Sequence, residues 1–164
     1  MRIRPFQPAD LQPLQLLFRE YAESVGNAIC FQSFEAEVAA LPGVYSPPHG
    51  EIFLADEAGE LAGCAALRPI TSEICEMKRL YVRPGFRGSG LGRSLAEQII
   101  ALAAGRGYRA IRLDTLPAMD RAIELYCSLG FQKILPYGEN PLSALFFERP
   151  LPSTVAKHPG FLLN

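Results

Sequence analysis

Residues 76–93 read Glu76-Met77-Lys78-Arg79-Leu80-Tyr81-Val82-Arg83-Pro84-Gly85-Phe86-Arg87-Gly88-Ser89-Gly90-Leu91-Gly92-Arg93. The opening residues belong to a strand predicted over Glu73–Val82, which Pro84-Gly85 end because proline removes a ladder donor. From Leu91 the period changes. Leu91, Leu95, Ile99 and Leu102 recur at helical spacing and share one face, with Gly105 as the natural C-cap. Between strand and helix lie Gly88, Gly90 and Gly92, three alternate positions free to take positive φ and to let a ligand approach the backbone. Their amides and the positive end of the helix make a concave anion site, to which Arg87 and Arg93 add charge. A P-loop needs Gly-Lys-Ser/Thr after four spacer residues, and a dinucleotide fingerprint needs a glycine where Arg93 stands. Neither fits.

Upstream, Met1–Phe6 predicts a short strand and Asp10 precedes a helix with Leu14, Leu17, Phe18 and Tyr21 on one face. Gly26-Asn27 breaks it. Phe34, Val38 and Leu41 mark a shorter helix stopped by Pro42-Gly43, and the prolines of Tyr45–Gly50 make that segment a loop. Strands Glu51–Asp56 and Leu61–Arg68 flank a turn at Glu57–Glu60. Downstream come a strand Arg109–Asp114, a helix marked by Ala118, Ala122, Leu125 and Leu129, and strands Phe131–Leu135 and Ala144–Glu148 around the loop Tyr137–Pro141. The order is β-α-α-β-β-β-α-β-α-β-β. It predicts an α/β fold with a mixed central sheet, flanking helices and parallel pairing across the central helix; a doubly wound fold is a poor match.

At 164 residues the chain fits one domain of the usual ~100–200, taken as 1–164 with a core of about 1–150 and an irregular tail at 151–164. With 49% hydrophobic and 20% charged residues it is globular in composition. No apolar h-region opens it and no stretch is long enough to span a membrane, so a cytoplasmic protein is expected. Cys30, Cys64, Cys75 and Cys127 stand apart from one another and from His49 and His158, at no metal-ligand spacing, and read as reduced thiols; no metal is expected. Net charge is −1 but uneven: residues 1–67 carry 3 basic and 9 acidic side chains, whereas 68–112 carry 9 and 3. Near-neutrality argues against nucleic acid as a partner. The basic middle fits a small polyanionic ligand held by one segment, or else a set of solvated strand and helix ends.

Two segments resemble the GCN5-related N-acetyltransferases, the GNAT superfamily. Arg87-x-x-Gly90-x-Gly92 is similar to its R/Q-x-x-G-x-G/A signature, approached by a strand, Glu76–Pro84, like the family's fourth. Ala122-Ile123-Glu124-Leu125-Tyr126-Cys127-Ser128-Leu129-Gly130-Phe131 resembles its A-x-x-L-Y-x-x-x-G-F segment, and the element order is the family's over roughly residues 1–150. The resemblance implies direct acetyl transfer from acetyl-coenzyme A to a primary amine, with no covalent enzyme intermediate. The pyrophosphate would rest on Arg87, Gly88, Ser89, Gly90, Leu91, Gly92 and Arg93. The pantetheine arm would run beside Leu80, Tyr81 and Val82, where a main-chain N–H would polarise the thioester carbonyl. Relatives are often homodimers, so a homodimer is one expectation.

Tyr126 stands where the family places a tyrosine near the thioester sulfur and is the candidate acid; a core tyrosine on an amphipathic helix is the alternative. Glu76 precedes Arg87 by eleven residues, the spacing of the general base in histone-modifying members. In a regular strand it shares a face with Lys78, Leu80 and Val82; a plain ion pair with Lys78 or Arg79 is the alternative. Where many relatives carry a coenzyme-contacting asparagine this chain has Met119, so that contact is not carried over. Cys127 has no nearby histidine to make it a nucleophile. Acceptor specificity is expected from Asn27–Gln32, Tyr45–Gly50 and Tyr137–Pro141, which form no strong acidic groove and favour a small-molecule, amino-acid-like amine. The competing readings are acetylation of a protein α-amine or lysine, and a sensor that binds acetyl-coenzyme A without turnover.

Overall fold

A computed structural model describes residues 1–26, 31–138 and 143–152, with the side chains of Phe31 and Gln32 left aside. Cys30, His158 and residues 139–141 of the predicted acceptor loop lie outside the described residues, as does most of 27–32. The elements are β1 (Arg2–Pro5), α1 (Leu11–Val25), α2 (Phe31–Ala39), β2 (Glu51–Glu57), β3 (Glu60–Pro69), β4 (Ile74–Val82), α3 (Leu91–Gly105), β5 (Ala110–Thr115), α4 (Asp120–Ser128), β6 (Gln132–Ile134) and β7 (Leu145–Pro150), in the predicted order. They form one seven-stranded sheet, β1-β2-β3-β4-β5-β7-β6. Every neighbouring pair is antiparallel except β4 and β5, which α3 joins as a parallel pair.

Both faces of the sheet are covered. On one, Leu91, Leu95, Ile99 and Ala103 of α3 pack with Leu67, Met77, Ile111 and Leu113, joined by Tyr126 of α4. On the other, Leu14, Leu17 and Phe18 of α1 and Phe34 and Val38 of α2 pack on Ile52, Leu54, Cys64, Ala66 and Tyr81. The predicted helical stripes are these two inner faces.

The central strands depart from a regular ladder in two ways, and both shape the site. Pairing of β3 with β4 runs Ala66↔Lys78 and then Cys64↔Tyr81, two residues against three, so β4 carries a bulge beside Arg79, whose φ is +56°. Glu76, Lys78, Leu80 and Val82 therefore do not share a face, as a regular strand would require. Met77 lies on the α3 side with Leu80 and Val82, because the extra residue reverses the alternation. Here β3 and β4 run so close that a Cβ on Gly63 would stand 2.5 Å from the Tyr81 carbonyl oxygen. The bulge is tied to α2: Arg79 Nε donates to Glu37 Oε2 at 2.8 Å, and the Tyr45 hydroxyl donates to Glu37 Oε1 at 2.8 Å.

The second departure is that β4 and β5 pair over three residues only, Ile74↔Ala110, Cys75↔Ile111 and Glu76↔Arg112. Beyond that register they part, leaving a wedge between Met77–Val82 and Leu113–Thr115.

Most cations of the basic middle third are paired within the chain. Of its nine cations, eight pair with carboxylates, several from the acidic first third: Arg79 with Glu37, Arg83 with Glu20 and Glu60, Arg106 with Glu51. Arg68, Lys78, Arg93, Arg109 and Arg112 pair with Glu76, Asp114, Glu97, Glu73 and Glu148. Among the described residues only Arg87 of the nine has no carboxylate partner. Three of the eight paired cations join the basic middle to the acidic first third.

Candidate active site

The mouth of the wedge is the glycine loop. Gly88 and Gly90 have φ of +81° and +82°, Gly90 being the N-cap of α3. A Cβ added at either would meet nothing within 4 Å, so the requirement is conformational and the space above the loop is open. Gly92 differs from the expectation of three positive-φ glycines: it sits in the first turn of α3, facing Val82 and Leu125. The first α3 bond is Ser94 N–H to the Gly90 carbonyl. Among the described residues, the amides of Gly88, Ser89, Gly90, Leu91, Gly92 and Arg93 donate to no protein acceptor, as helix geometry dictates for the first turn. The result is a run of donors at the positive end of a helix. Leu91's side chain is buried in the core, so only its amide faces the opening.

Arg87 and Arg93 flank the loop, both exposed. Arg87 Nε donates to the Val82 carbonyl at 2.8 Å, with its guanidinium 5.7 Å from the Tyr81 ring centre. Arg93 bonds the Ser128 hydroxyl and pairs with Glu97.

Tyr126 is 8% exposed and packs edge-to-face on Phe131, ring centres 6.0 Å apart. Burial pushes its phenol well above the ordinary range, with Tyr21 and Asp114 adding to the shift. Tyr21 packs with the α1 core and Tyr126 with the α3 core, on opposite faces of the sheet. Cys127 is exposed where Tyr126 is buried. Cys64 and Cys75 are buried free thiols, both pushed up to about 12 by burial.

Glu76 does not pair chiefly with Lys78 or Arg79. It is 3% exposed, and its Oε2 accepts from Arg68 Nε at 2.8 Å and lies 2.8 Å from Arg68 Nη2. Oε1 accepts the Tyr137 hydroxyl at 2.9 Å and lies 3.8 Å from Lys78 Nζ. The register sets Arg68, Glu76, Arg112 and Glu148 side by side across β3, β4, β5 and β7, a row of alternating charge. Arg112 Nε donates to Glu148 Oε2 at 2.7 Å while its guanidinium covers the Tyr137 ring. Two residues further along, Lys78 Nζ donates to Asp114 Oδ1 at 3.0 Å across the wedge.

Arg68, Arg112 and Asp114 were not singled out by the sequence as site residues, and Tyr137 only as the first residue of the expected acceptor loop Tyr137–Pro141. For Arg112 and Asp114 a signal existed: charged residues alternate there with Ile111 and Leu113 in a central strand. Met119, in the asparagine's position, receives a 3.6 Å contact from the Thr115 hydroxyl at its sulfur.

The acetyltransferase (GNAT) family model matches residues 12–131. An uncharacterised N-acetyltransferase of Schizosaccharomyces pombe is 40% identical over 144 residues, covering 87% of this chain and 88% of that one. A GNAT-family acetyltransferase of Staphylococcus aureus superposes with a TM-score of 0.81 at 18% identity, over 92% of this chain and 99% of its own. An acetyltransferase of Salmonella typhimurium, solved with its cofactor acetyl-CoA, does so at 0.70 and 21%, over 97% and 98%. With a family match over most of its length, on a sheet opened between its two parallel strands, the chain belongs to the GNAT acetyltransferase family and is an acyltransferase.

Proposed function

We propose that the chain moves the acetyl group of acetyl-coenzyme A onto the primary amine of a small, amino-acid-like acceptor, by direct attack with both substrates bound. The observation that carries this reading is the balanced charge across β3, β4, β5 and β7 beside the wedge, where Arg68, Lys78 and Arg112 are set against Glu76, Asp114 and Glu148. A zwitterion meets no net charge there that would repel either of its ends. A lysine-rich tail finds no net negative field.

Bound acetyl-coenzyme A supplies an activated thioester carbonyl, and a neighbour of the same fold is solved with it. The open run of amides from Gly88 to Arg93 suits its pyrophosphate, with Arg87 free of any carboxylate to add charge. Leu80, Tyr81 and Val82 border the wedge on a strand edge without a neighbour, which offers main-chain groups to an extended arm as an added strand would. A main-chain N–H beside the bulge is the oxyanion donor in this reading.

Glu76 is the base and Tyr126 serves the departing sulfur. An ordinary thiol, at ~8.5, is a stronger acid than a phenol raised above ~10, so full proton transfer from Tyr126 to sulfur runs uphill. Tyr126 therefore stabilises the thiolate as a hydrogen-bond donor. Reduced buried thiols suit a cytoplasmic enzyme, and among the described residues no helix is long and apolar enough to cross a membrane.

Thiol release from acetyl-coenzyme A tests the acceptor, using free amino acids, their decarboxylated amines, polyamines, a peptide α-amine and a lysine peptide. The expected result is fastest turnover of a free amino acid, with kcat/KM for its decarboxylated amine lower by about 10-fold, the worth of one charged contact. Faster turnover of either peptide would contradict it.

A further inference from the structure

Glu76 is enclosed to a degree that bears on how it can act. Its Oε2 is held by the Arg68 guanidinium through Nε, with Nη2 also 2.8 Å away, and its Oε1 by Tyr137 with Lys78 behind. At 3% exposure it meets no acceptor amine without an intermediary. Arg68 and Lys78, as cations, have donors only and pass no proton inward. The Tyr137 phenol differs in kind, because its oxygen donates to Glu76 while keeping lone pairs that accept an N–H. Its place is fixed from two sides. The ring meets Phe146 edge-to-face at 5.0 Å, and the Arg112 guanidinium lies 4.9 Å from its centre. Tyr137 is only half-buried, so its hydroxyl links the enclosed Glu76 to a side chain that solvent reaches.

We propose that Tyr137 is the proton relay between the acceptor amine and Glu76, a catalytic residue of the acetyl transfer. The proposal rests on the reading of Glu76 as base. As the amine lone pair forms the bond to the acyl carbon, the carbon–sulfur bond breaks and its electron pair leaves on sulfur. The surplus proton on nitrogen moves to the Tyr137 oxygen while the Tyr137 proton moves to Glu76 Oε1. The products are an amide, a thiolate, a neutral Glu76 and an unchanged Tyr137; Glu76 then releases its proton outward through the same hydroxyl. The two transfers are concerted, because burial and the Glu76 charge both disfavour a free Tyr137 phenolate.

The test compares Tyr137→Phe, Glu76→Gln and the double variant, using the fastest amine of the panel and acetyl-coenzyme A over pH 7 to 9.5. Tyr137→Phe keeps the ring contacts, and a thermal melt beside the wild type checks that it folds. At pH 7 each single variant is expected to lose about 10²-fold in kcat. The double should lose no more than either, since the two act as one unit. KM for acetyl-coenzyme A should stay within about twofold, and the loss should shrink at high pH, where hydroxide takes the surplus proton from nitrogen in place of the relay. A merely structural tyrosine would give a loss independent of pH. That result, or single losses that multiply, overturns the relay. If Glu76→Gln is slow and Tyr137→Phe is not, the relay alone falls; if Glu76→Gln keeps its rate, the base reading falls and takes the relay with it. No turnover of any amine or peptide by the wild type overturns both.

Discussion

Lys78 Nζ and Asp114 Oδ1 meet at 3.0 Å although their strands have already parted. Pairing of β4 with β5 ends at Glu76↔Arg112, and this ion pair spans the gap two residues further on, with both side chains less than a fifth exposed. It limits how far the wedge opens at its narrow end. Lys78→Met is expected to lower stability by about 1–3 kcal/mol, the cost of removing one partner of a partly buried charged hydrogen bond. In urea denaturation, adding Asp114→Asn should cost less than the two single losses combined; full additivity would mean the pair is not coupled.

Tyr126→Phe removes a single hydroxyl from a well-packed ring. If that hydroxyl stabilises the departing thiolate, kcat falls about 10- to 100-fold, the range of a hydrogen bond to a charged group. Acetyl-coenzyme A binding, followed by calorimetry, should be unchanged. An unaltered kcat would leave Tyr126 as a core residue.

Gly63 lets β3 approach β4 closely just beyond the bulge, opposite Val82. A methyl group there would stand 2.5 Å from the Tyr81 carbonyl oxygen, a backbone atom that cannot swing aside. Gly63→Ala is expected to destabilise the fold by roughly 1–3 kcal/mol through overpacking and to raise KM for acetyl-coenzyme A by shifting Leu80–Val82. A neutral effect on both would show that the two strands yield easily.

Alkaline pH probes the buried phenols. Five of the six tyrosines, Tyr45, Tyr81, Tyr108, Tyr126 and Tyr137, are raised, in each case first by burial. Below ~10 these phenols are protonated whether the chain is folded or not, and contribute no slope. Above that value the unfolded chain binds fewer protons than the folded one, so stability falls as pH rises. Phenolate absorbance near 295 nm should therefore appear largely together with loss of the circular dichroism signal. Smooth ionisation of a folded protein near pH 10 would contradict the burial of these side chains.

The fold was legible wherever a period ran long enough. The α3 stripe of Leu91, Leu95 and Ile99 and the proline-bounded end of β4 came through with their boundaries nearly intact. The glycine loop was legible because a ligand-facing backbone needs residue types that are rare elsewhere. The bulge was not, since Arg79 with φ of +56° carries no local mark and owes its conformation to Glu37, 42 positions earlier. That one residue undid the predicted shared face of Glu76 and Leu80. Tyr137 lies in a segment without periodicity, and its role beside Glu76 follows only from the register of β5 and β7. Regional charge was legible only in outline: which cations pair within the chain, and that Arg87 among the described residues has no carboxylate partner, depends on contacts between distant segments.

The most direct test of the account is a calorimetric titration of acetyl-coenzyme A into the wild-type chain and into Gly90→Asp, with NAD and ATP as controls. The substitution forces a side chain onto a φ of +82° and sets a carboxylate among the loop amides. The account predicts selective binding of acetyl-coenzyme A that the variant loses while keeping its fold. Binding of equal strength in both proteins, or of ATP in preference to acetyl-coenzyme A, would contradict it.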